Sequence, residues 1–290
     1  MLNRQRELTL PRPTAAPTAP SSAHVLTLQF YVATGPVFGG AIGCIFFAAN
    51  AVGIAFYLQG FTDTVVDMFN ITSGSMAGLS LYWVQVLLGA ATLLFETAIA
   101  VVGSGLYAKC ALFILVVQMA AIYFGMAALL LRSDVPVRWE GTNLDGTNAT
   151  FEFLGPNWKT LQSNMYAIPD ADYNGVFKVI FPAMTGIMAG SNMSGVLQRP
   201  ELSIPRGELS AIFFCLSTYM VAVFAMGASI PRDTLQNDYL VLAHVAWVPT
   251  LVMVGVLAST TSSALASIQS AARVLQALAF DGPPGPSRQY

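Results

Sequence analysis

An uncharged stretch from Val179 to Gln198 holds the residues of this chain best suited to binding ions. The stretch is apolar enough to cross a bilayer, yet residues that break helices or carry polar groups occupy its centre. They are Pro182, Thr185, Gly186, Gly190, Asn192 and Gly195. A free backbone N–H or C=O costs several kcal/mol in hydrocarbon, so a break at this depth persists only where protein or a cavity satisfies it. The pattern therefore predicts a broken transmembrane helix of the kind that forms ion and substrate sites in secondary transporters.

The break suits ions of either sign. Gly186 and Gly190 permit unusual backbone angles and Pro182 lacks an N–H, so nearby carbonyl oxygens can turn towards a cation. Backbone amides that follow Thr185 can bind an anion, as amides do at the start of a helix. A Pro/Gly kink that serves only helix packing is the structural alternative.

A second polar cluster is the run Ser259-Thr260-Thr261-Ser262-Ser263 in the last apolar stretch. Hydroxyl oxygens spaced three and four residues apart share one helical face, and several oxygen ligands suit a hard cation such as sodium. Close helix packing through small residues uses the same residue types, so composition alone leaves both interpretations open.

Two further side chains carry chemistry inside apolar stretches. Tyr57, which we expect at the outer end of its span, could offer a phenolic oxygen to a central cavity, although an interfacial tyrosine is the commoner role. Glu96 lies near the inner end of its span, where it either reaches the interface or marks an ion path. The two histidines and the separated Cys44, Cys110 and Cys215 offer no metal set and no nucleophile with a base. We therefore expect no enzyme and no cofactor.

The composition is that of a membrane protein. Of the 290 residues, 55% are hydrophobic and only 10% are charged, whereas soluble domains carry about 25% charged residues. Since about 20 apolar residues cross a bilayer as a helix, we predict an all-α polytopic membrane protein with about six transmembrane helices. The expected spans are about 38–59, 79–103, 109–131, 175–198, 207–230 and 240–277, the last being long for one crossing. A net charge of −2 excludes a basic nucleic-acid surface.

The remaining segments are polar. Residues 1–24 are rich in Pro, Ala, Thr and Arg and are expected to form a disordered tail, with an organelle transit peptide as the alternative. Residues 25–280 form the expected transmembrane domain, and residues 281–290 a disordered C-terminal tail. The segment 132–173 is expected to be an outer loop. With this segment outside, most basic residues of the short loops lie on the inner side of the membrane, which fits the positive-inside rule. Its sequon Asn148-Ala149-Thr150 predicts glycosylation at Asn148.

Four segments, in this order, resemble the cation-chloride cotransporter family, solute carrier family 12, within the amino acid, polyamine and organocation superfamily. GPVFGGAIGCIFFAANAVGIAFYLQGFTDTVV from Gly35 is similar to the family's third helix, and Leu106-Tyr107-Ala108-Lys109 to the link between its fourth and fifth. FPAMTGIMAGSNMSG is similar to the sixth helix, and STTSSALAS from Ser259 to the eighth. The resemblance covers residues 35–280 and implies part of an inverted-repeat transporter fold with a broken helix.

The resemblance implies electrically neutral symport of chloride with sodium, potassium or both, in the plasma membrane. It assigns potassium binding to Tyr57, Pro182 and Thr185. It assigns chloride binding to the amides of Gly186, Ile187 and Met188. Sodium would be bound by the Ser262 and Ser263 hydroxyls and the Ser259 carbonyl; this serine pair favours a sodium-coupled type.

Departures from the family pattern leave alternatives open. Val37 replaces a usual acid, Ala272 stands where a proline is common, and the loop from Ser229 to Tyr239 is short. These features favour the divergent members, so an amino acid or polyamine permease is the second interpretation. A non-transporting partner of a complete cotransporter is the third. The chain is expected to lack helices that complete the ion sites, so alone it should not carry out a transport cycle. The expected partners are membrane lipid, inorganic ions, and a second copy of the chain in a homodimer or a complete cotransporter.

Overall fold

The computed structural model describes residues 36–71, 80–102, 104–132, 135–142, 147–166, 173–181, 186, 190 and 199–281. Helices and strands follow in this order: α1 Pro36–Met68, α2 Leu81–Val102, α3 Ser104–Leu131, β1 Val137–Thr142, β2 Asn148–Phe153, α4 Trp158–Met165, α5 Tyr173–Ile180, α6 Pro200–Ser229, α7 Arg232–Asn237, α8 Val241–Val245 and α9 Pro249–Asp281. Within these residues, α1, α2, α3, α6 and α9 are each long and apolar enough to cross a bilayer. The chain is thus an all-helical polytopic membrane protein.

The long helix α9 is the centre of the bundle and packs against α1, α2 and α3. It runs antiparallel to α1, with Leu278 beside Gly43 near one end and Thr260 beside Gly60 towards the other. The approach is close because the α1 positions are glycines: a Cβ added to Gly43 would lie 2.9 Å from Leu278 Cδ2. Small residues therefore let the two backbones come together, as is usual between membrane helices.

Several span bounds differ from those expected. The first helix continues to Met68 instead of ending near residue 59, so Asp63 lies within α1 and not in the connection that follows the expected span. The expected span 240–277 is divided, because α8 forms a separate short helix before α9 begins at Pro249. Of the expected span 175–198, the structure describes α5, Phe181, Gly186 and Gly190. The expected tails, 1–24 and 282–290, lie outside the described residues, and Asp281 ends α9.

The segment 132–173 is not an irregular loop. It contains the antiparallel hairpin β1–β2, in which Val137 pairs with Phe153, followed by α4. Along β2, burial alternates, with Phe151 and Phe153 inside and their neighbours outside. The hairpin, α4, α7 and α8 form a small domain at one end of the bundle, which we call the cap.

The cap has its own apolar core. Phe153, Ile230 and Val245 are fully buried there, together with Leu129 from the end of α3. The cap is also bonded to the end of α6: the amides of Leu154 and Asn157 donate to the carbonyls of Ser229 and Ala228. The cap therefore joins the ends of α3 and α6, and a second cluster of Ala128, Ala243, Ala246 and Val252 adds the start of α9. The spans, in contrast, expose large apolar side chains such as Leu94 and Phe213, as expected of surfaces that face lipid or further helices.

Candidate functional site

The described residues after Ile180 show the predicted helix break. Helix α5 ends at Ile180, and Gly186 lies in a turn with φ of +94°, a backbone conformation that residues other than glycine rarely adopt. Gly190 lies in a second turn, where an added Cβ would come within 3.1 Å of Glu208 Oε1 on α6. The helix therefore does not continue through these positions.

Four residues assigned to ions by the resemblance lie outside the described residues. They are Pro182, Thr185, Ile187 and Met188. Their assignments, and that of Gly186 to chloride, remain predictions.

Tyr57 lies inside the membrane part of α1 and not at its outer end. The helix continues for 11 residues beyond it, to Met68, which is about 16 Å at 1.5 Å per residue. Its ring turns towards α9: a Cβ added to Gly53 would lie 3.8 Å from Tyr57 Cε2 and 3.9 Å from Ser267 Oγ. Tyr57 is therefore away from both ends of α1 and on the side of the helix that faces α9.

The serine cluster of α9 lies at the depth of Tyr57. In the antiparallel register of α1 and α9, Tyr57 is level with Ser262 and Ser263, both of which are half-buried. Ser259, one turn before them, accepts a 3.2 Å hydrogen bond from Gln118 Nε2 on α3. The structure thus brings Tyr57 and the serine cluster to one level of two adjacent helices.

Asp63 forms a polar cluster that sequence reasoning missed. Its Oδ1 accepts hydrogen bonds from Gln59 Nε2 at 2.9 Å and from Gln85 Nε2 of α2 at 2.8 Å. The cluster edges a groove of about 240 Å³ between α1 and α2. The available signal was Gln85, a polar residue within an apolar span, but nothing in the sequence identified its partner.

Glu96 is fully buried in α2, and neither of its carboxyl oxygens has a hydrogen-bond partner in the described part of the chain. The interpretation that it reaches the membrane interface is therefore wrong for this structure.

A second missed cluster lies within the cap. Asp238 Oδ2 accepts from Trp139 Nε1 at 2.9 Å and contacts His244 Nδ1 at 2.8 Å. Burial alone would raise the pKa of Asp238, but the hydrogen bond and charge of His244, with bonds from the Leu240 amide and Trp139, lower that pKa below 3.8. Asp238 thus stays ionised and links β1 to α8.

Asn148, the predicted glycosylation site, is exposed at the first position of β2. Its place on the cap, outside the candidate membrane helices, leaves the side chain accessible to solvent. Glycosylation there stays a prediction.

Comparison with known proteins identifies the family. Residues 29–283 match the amino acid permease family model. Solute carrier family 12 member 9 of Danio rerio is 32% identical over 265 residues, which are 85% of this chain and 29% of that protein. Member 9 of Homo sapiens is 33% identical over 263 residues, with the same two shares. Member 1 of Homo sapiens is 31% identical over 284 residues, 85% of this chain and 25% of that protein.

The chain therefore spans less than a third of the length of these curated relatives. The relatives bear out the resemblance to solute carrier family 12 that the motifs carried. The family match covers most of the chain, and the long apolar helices are those of a multi-pass integral membrane protein. This chain belongs to the amino acid permease family of membrane transporters.

Proposed function

We propose that this chain forms part of a secondary active symporter that moves chloride with sodium, potassium or both. The observation that carries the proposal is the turn at Gly186, with its φ of +94°, in the continuation of α5. A helix that stops inside an uncharged stretch frees carbonyl and amide groups, and these groups need a partner at membrane depth. Ions of both signs provide such partners at broken helices of transporters.

The cation part of the proposal is supported by α1 and α9. Tyr57 and the pair Ser262 and Ser263 offer neutral oxygens at one depth, and such oxygens replace part of the water around a sodium or potassium ion. Stripping an ion of water is costly unless ligands replace that water. We assign sodium to Ser259, Ser262 and Ser263, and potassium to Tyr57 with Pro182 and Thr185.

The chloride part of the proposal uses backbone amides. We assign chloride to the amides of Gly186, Ile187 and Met188, because an amide-rich turn binds an anion without a basic side chain. Among the described residues, α5 carries only Lys178 as a basic residue, before the break. Transport of one chloride with each cation would keep the cycle electrically neutral.

Uptake of radiolabelled chloride into cells expressing the full-length protein tests the proposal. We expect uptake to fall when external sodium or potassium is replaced by a large organic cation. Ser262→Ala should raise the sodium concentration for half-maximal uptake about tenfold, the equivalent of about 1.4 kcal/mol of lost binding.

Ser217→Ala is the matched control, because Ser217 is exposed on α6 and donates to Phe213 O of its own helix. Chloride uptake that is indifferent to both cations would contradict the proposal. Uptake that depends on potassium alone would retain the chloride symport and remove the sodium assignment.

Transport of an amino acid or a polyamine is the second candidate function. The match to the amino acid permease family favours it, since that family model covers residues 29–283. Competition assays separate the two candidates. An organic substrate whose uptake needs no chloride would support the permease, whereas cation-dependent chloride uptake unaffected by amino acids and polyamines would support the symporter.

A further inference from the structure

Glu96 is a buried acid of α2, and none of the described residues neutralises it. The residue is 0% exposed. Neither Oε1 nor Oε2 has a hydrogen-bond partner, and no salt bridge involves Glu96, in the part of the chain that the structure describes. Of the helix neighbours three and four residues away, Leu93, Ile99 and Ala100 are apolar, and the Thr92 hydroxyl donates to the Leu88 carbonyl instead. The function proposed above makes no use of this group.

Two contacts define where Glu96 lies. Two turns before it, Gly89 packs against α1, with an added Cβ 3.6 Å from Thr62 Cγ2. One turn after it, the Ala100 carbonyl accepts a 3.2 Å hydrogen bond from Gln269 Nε2 of α9. Glu96 therefore lies between the contact of α2 with α1 and its contact with α9.

The same contacts fix the depth of Glu96 relative to the candidate cation site. On α1, two turns from Thr62 lead to the turn that carries Tyr57. On α9, one turn back from Gln269 leads to Leu265, which is 1% exposed. Leu265 lies less than one turn after the Ser262-Ser263 pair. Glu96 thus lies within about one helical turn, in depth, of the oxygens assigned to cations.

An ionised carboxylate cannot be left in such a place without a partner, because burial of an isolated charge is far more costly than burial of the neutral acid. A metal cation would neutralise it only with several further oxygen ligands, and no polar atom of the described residues contacts either carboxyl oxygen. A proton needs no such shell.

We propose that Glu96 is a proton-binding site of this transporter, loaded with a proton in the conformation seen here. The carboxylate takes one proton from water to become the neutral acid, and it returns that proton when the contact between α2 and α9 opens to water. The transport cycle that this proton would accompany is the one proposed above, on which this part of the inference rests.

The titratable groups that could share the proton are few at this depth. On α1 it is Tyr57. On α3, which returns antiparallel to α2, they are Lys109 and Cys110. On α9 it is Arg273, about two turns further towards the inner end, where it interacts electrostatically with Tyr107 of α3. None of these groups forms a hydrogen bond with Glu96 in the described part of the chain.

Infrared difference spectroscopy tests the proton site without any transport assay. The chain is placed in lipid nanodiscs, and the spectrum of the Glu96→Gln variant is subtracted from that of the wild type at neutral pH. We expect the C=O band of a protonated carboxyl in the wild type and its loss in the variant. Glu152→Gln is the control, since Glu152 lies on the cap hairpin, partly exposed and 3.4 Å from the Arg138 guanidinium.

Each outcome decides the proposal. Absence of a protonated carboxyl band assigned to Glu96 would overturn it. A carboxylate band that shifts on addition of sodium would also overturn it, because Glu96 would then be a sodium ligand. Should Glu96→Gln fail to fold, Glu96→Asp, which keeps the acid, must shift the band instead of abolishing it.

Transport separates this inference from the proposed function. In cells expressing the full-length protein, Glu96→Gln should flatten the pH dependence of uptake, while Glu152→Gln should leave it as in the wild type. If chloride uptake is absent but the band is present, the proton site stands and the chloride symport falls. If chloride symport is present without the band, the chloride symport stands and the proton site falls.

Discussion

The contact of α3 with α9 permits one quantitative prediction, based on Gly255. A Cβ added at this position would lie 2.2 Å from Ala121 Cβ of α3. Ala121 is 2% exposed and its Cβ is fixed to the backbone, so the clash cannot be relieved by a side-chain rotation. To reach the 3.4 Å of an ordinary contact, α3 and α9 must separate locally by about 1.2 Å.

This separation has a cost for stability and for the serine cluster. Overpacking of this size costs about 1–3 kcal/mol. The same shift would stretch the bond between Gln118 Nε2 and Ser259 Oγ, which is already 3.2 Å long and lies one turn from Gly255. Gly255→Ala should therefore destabilise the chain and weaken cation-dependent uptake together.

Thermal unfolding in detergent measures the first effect, with Gly53→Ala as the matched control. At Gly53 the new Cβ would meet its nearest neighbour at 3.8 Å, so this variant experiences no clash. Both variants gain the same helix propensity, about 1 kcal/mol. The difference between them isolates the packing effect, and Gly255→Ala should be less stable by about 1–3 kcal/mol.

The double variant Gly255→Ala/Ala121→Gly provides the decisive check. It moves the methyl group from one helix to the other and should recover most of the lost stability. If Gly255→Ala and Gly53→Ala unfold at the same temperature, or if the double variant is worse than Gly255→Ala, the argument from close helix contact is wrong.

Three further predictions concern the cap and Tyr57. Because the folded pKa of Asp238 lies below its unfolded value of about 3.9, its contribution to stability is present above that value and is lost as pH falls through the folded pKa. Asp238→Asn removes the charge that His244 contacts, so it should make the cap more sensitive to protease at neutral pH. The wild-type cap should lose protease resistance below about pH 4, and the variant should not show this further loss. Asn148→Gln should remove a glycosidase-sensitive shift in gel mobility; a wild type without that shift would refute outer glycosylation. Tyr57→Phe should raise the potassium concentration for half-maximal uptake, whereas Tyr82→Phe, on an exposed side chain of α2, should not; equal effects would remove Tyr57 from the site.

Hydropathy predicted the membrane helices well but not their ends. The charge of Asp63 suggested that the first span had ended before it, yet α1 continues because Gln59 and Gln85 donate to that carboxylate. The expected span 240–277 is divided because Val241 and Val245 pack into the cap core instead of into the bundle. Both errors arise from long-range contacts, which a local average of hydropathy does not contain.

The sequence predicted which residue types form the candidate site but not which of them contact one another. The glycine-rich interruption after α5 could be read from composition, and Gly186 adopts the positive φ that only glycine readily allows. The bond between Gln118 and Ser259 joins residues 141 positions apart, and nothing local specifies it. The fully buried state of Glu96 likewise depends on three neighbouring helices that the sequence does not order in space.

The distribution of packing indicates which helix is free to move. The ends of α3 and α6 are joined by the cap core, and the start of α9 is joined to them by Val252, which packs with Ala128 of α3 and with Ala243, so the three ends should behave as one body. Helix α2 is joined to α1 and α9 through hydrogen bonds of Gln85 and Gln269. Between them lies Glu96, which has no hydrogen-bond partner among the described residues. Loss of the Glu96 proton would leave a bare carboxylate at that contact, and this charge would favour separation of α2 from α9 and entry of water. We therefore expect the opening that accompanies transport to begin between α2 and α9. The protection factors of the α2 amides, corrected for the intrinsic pH dependence of exchange, should fall as pH rises in the wild type but not in Glu96→Gln.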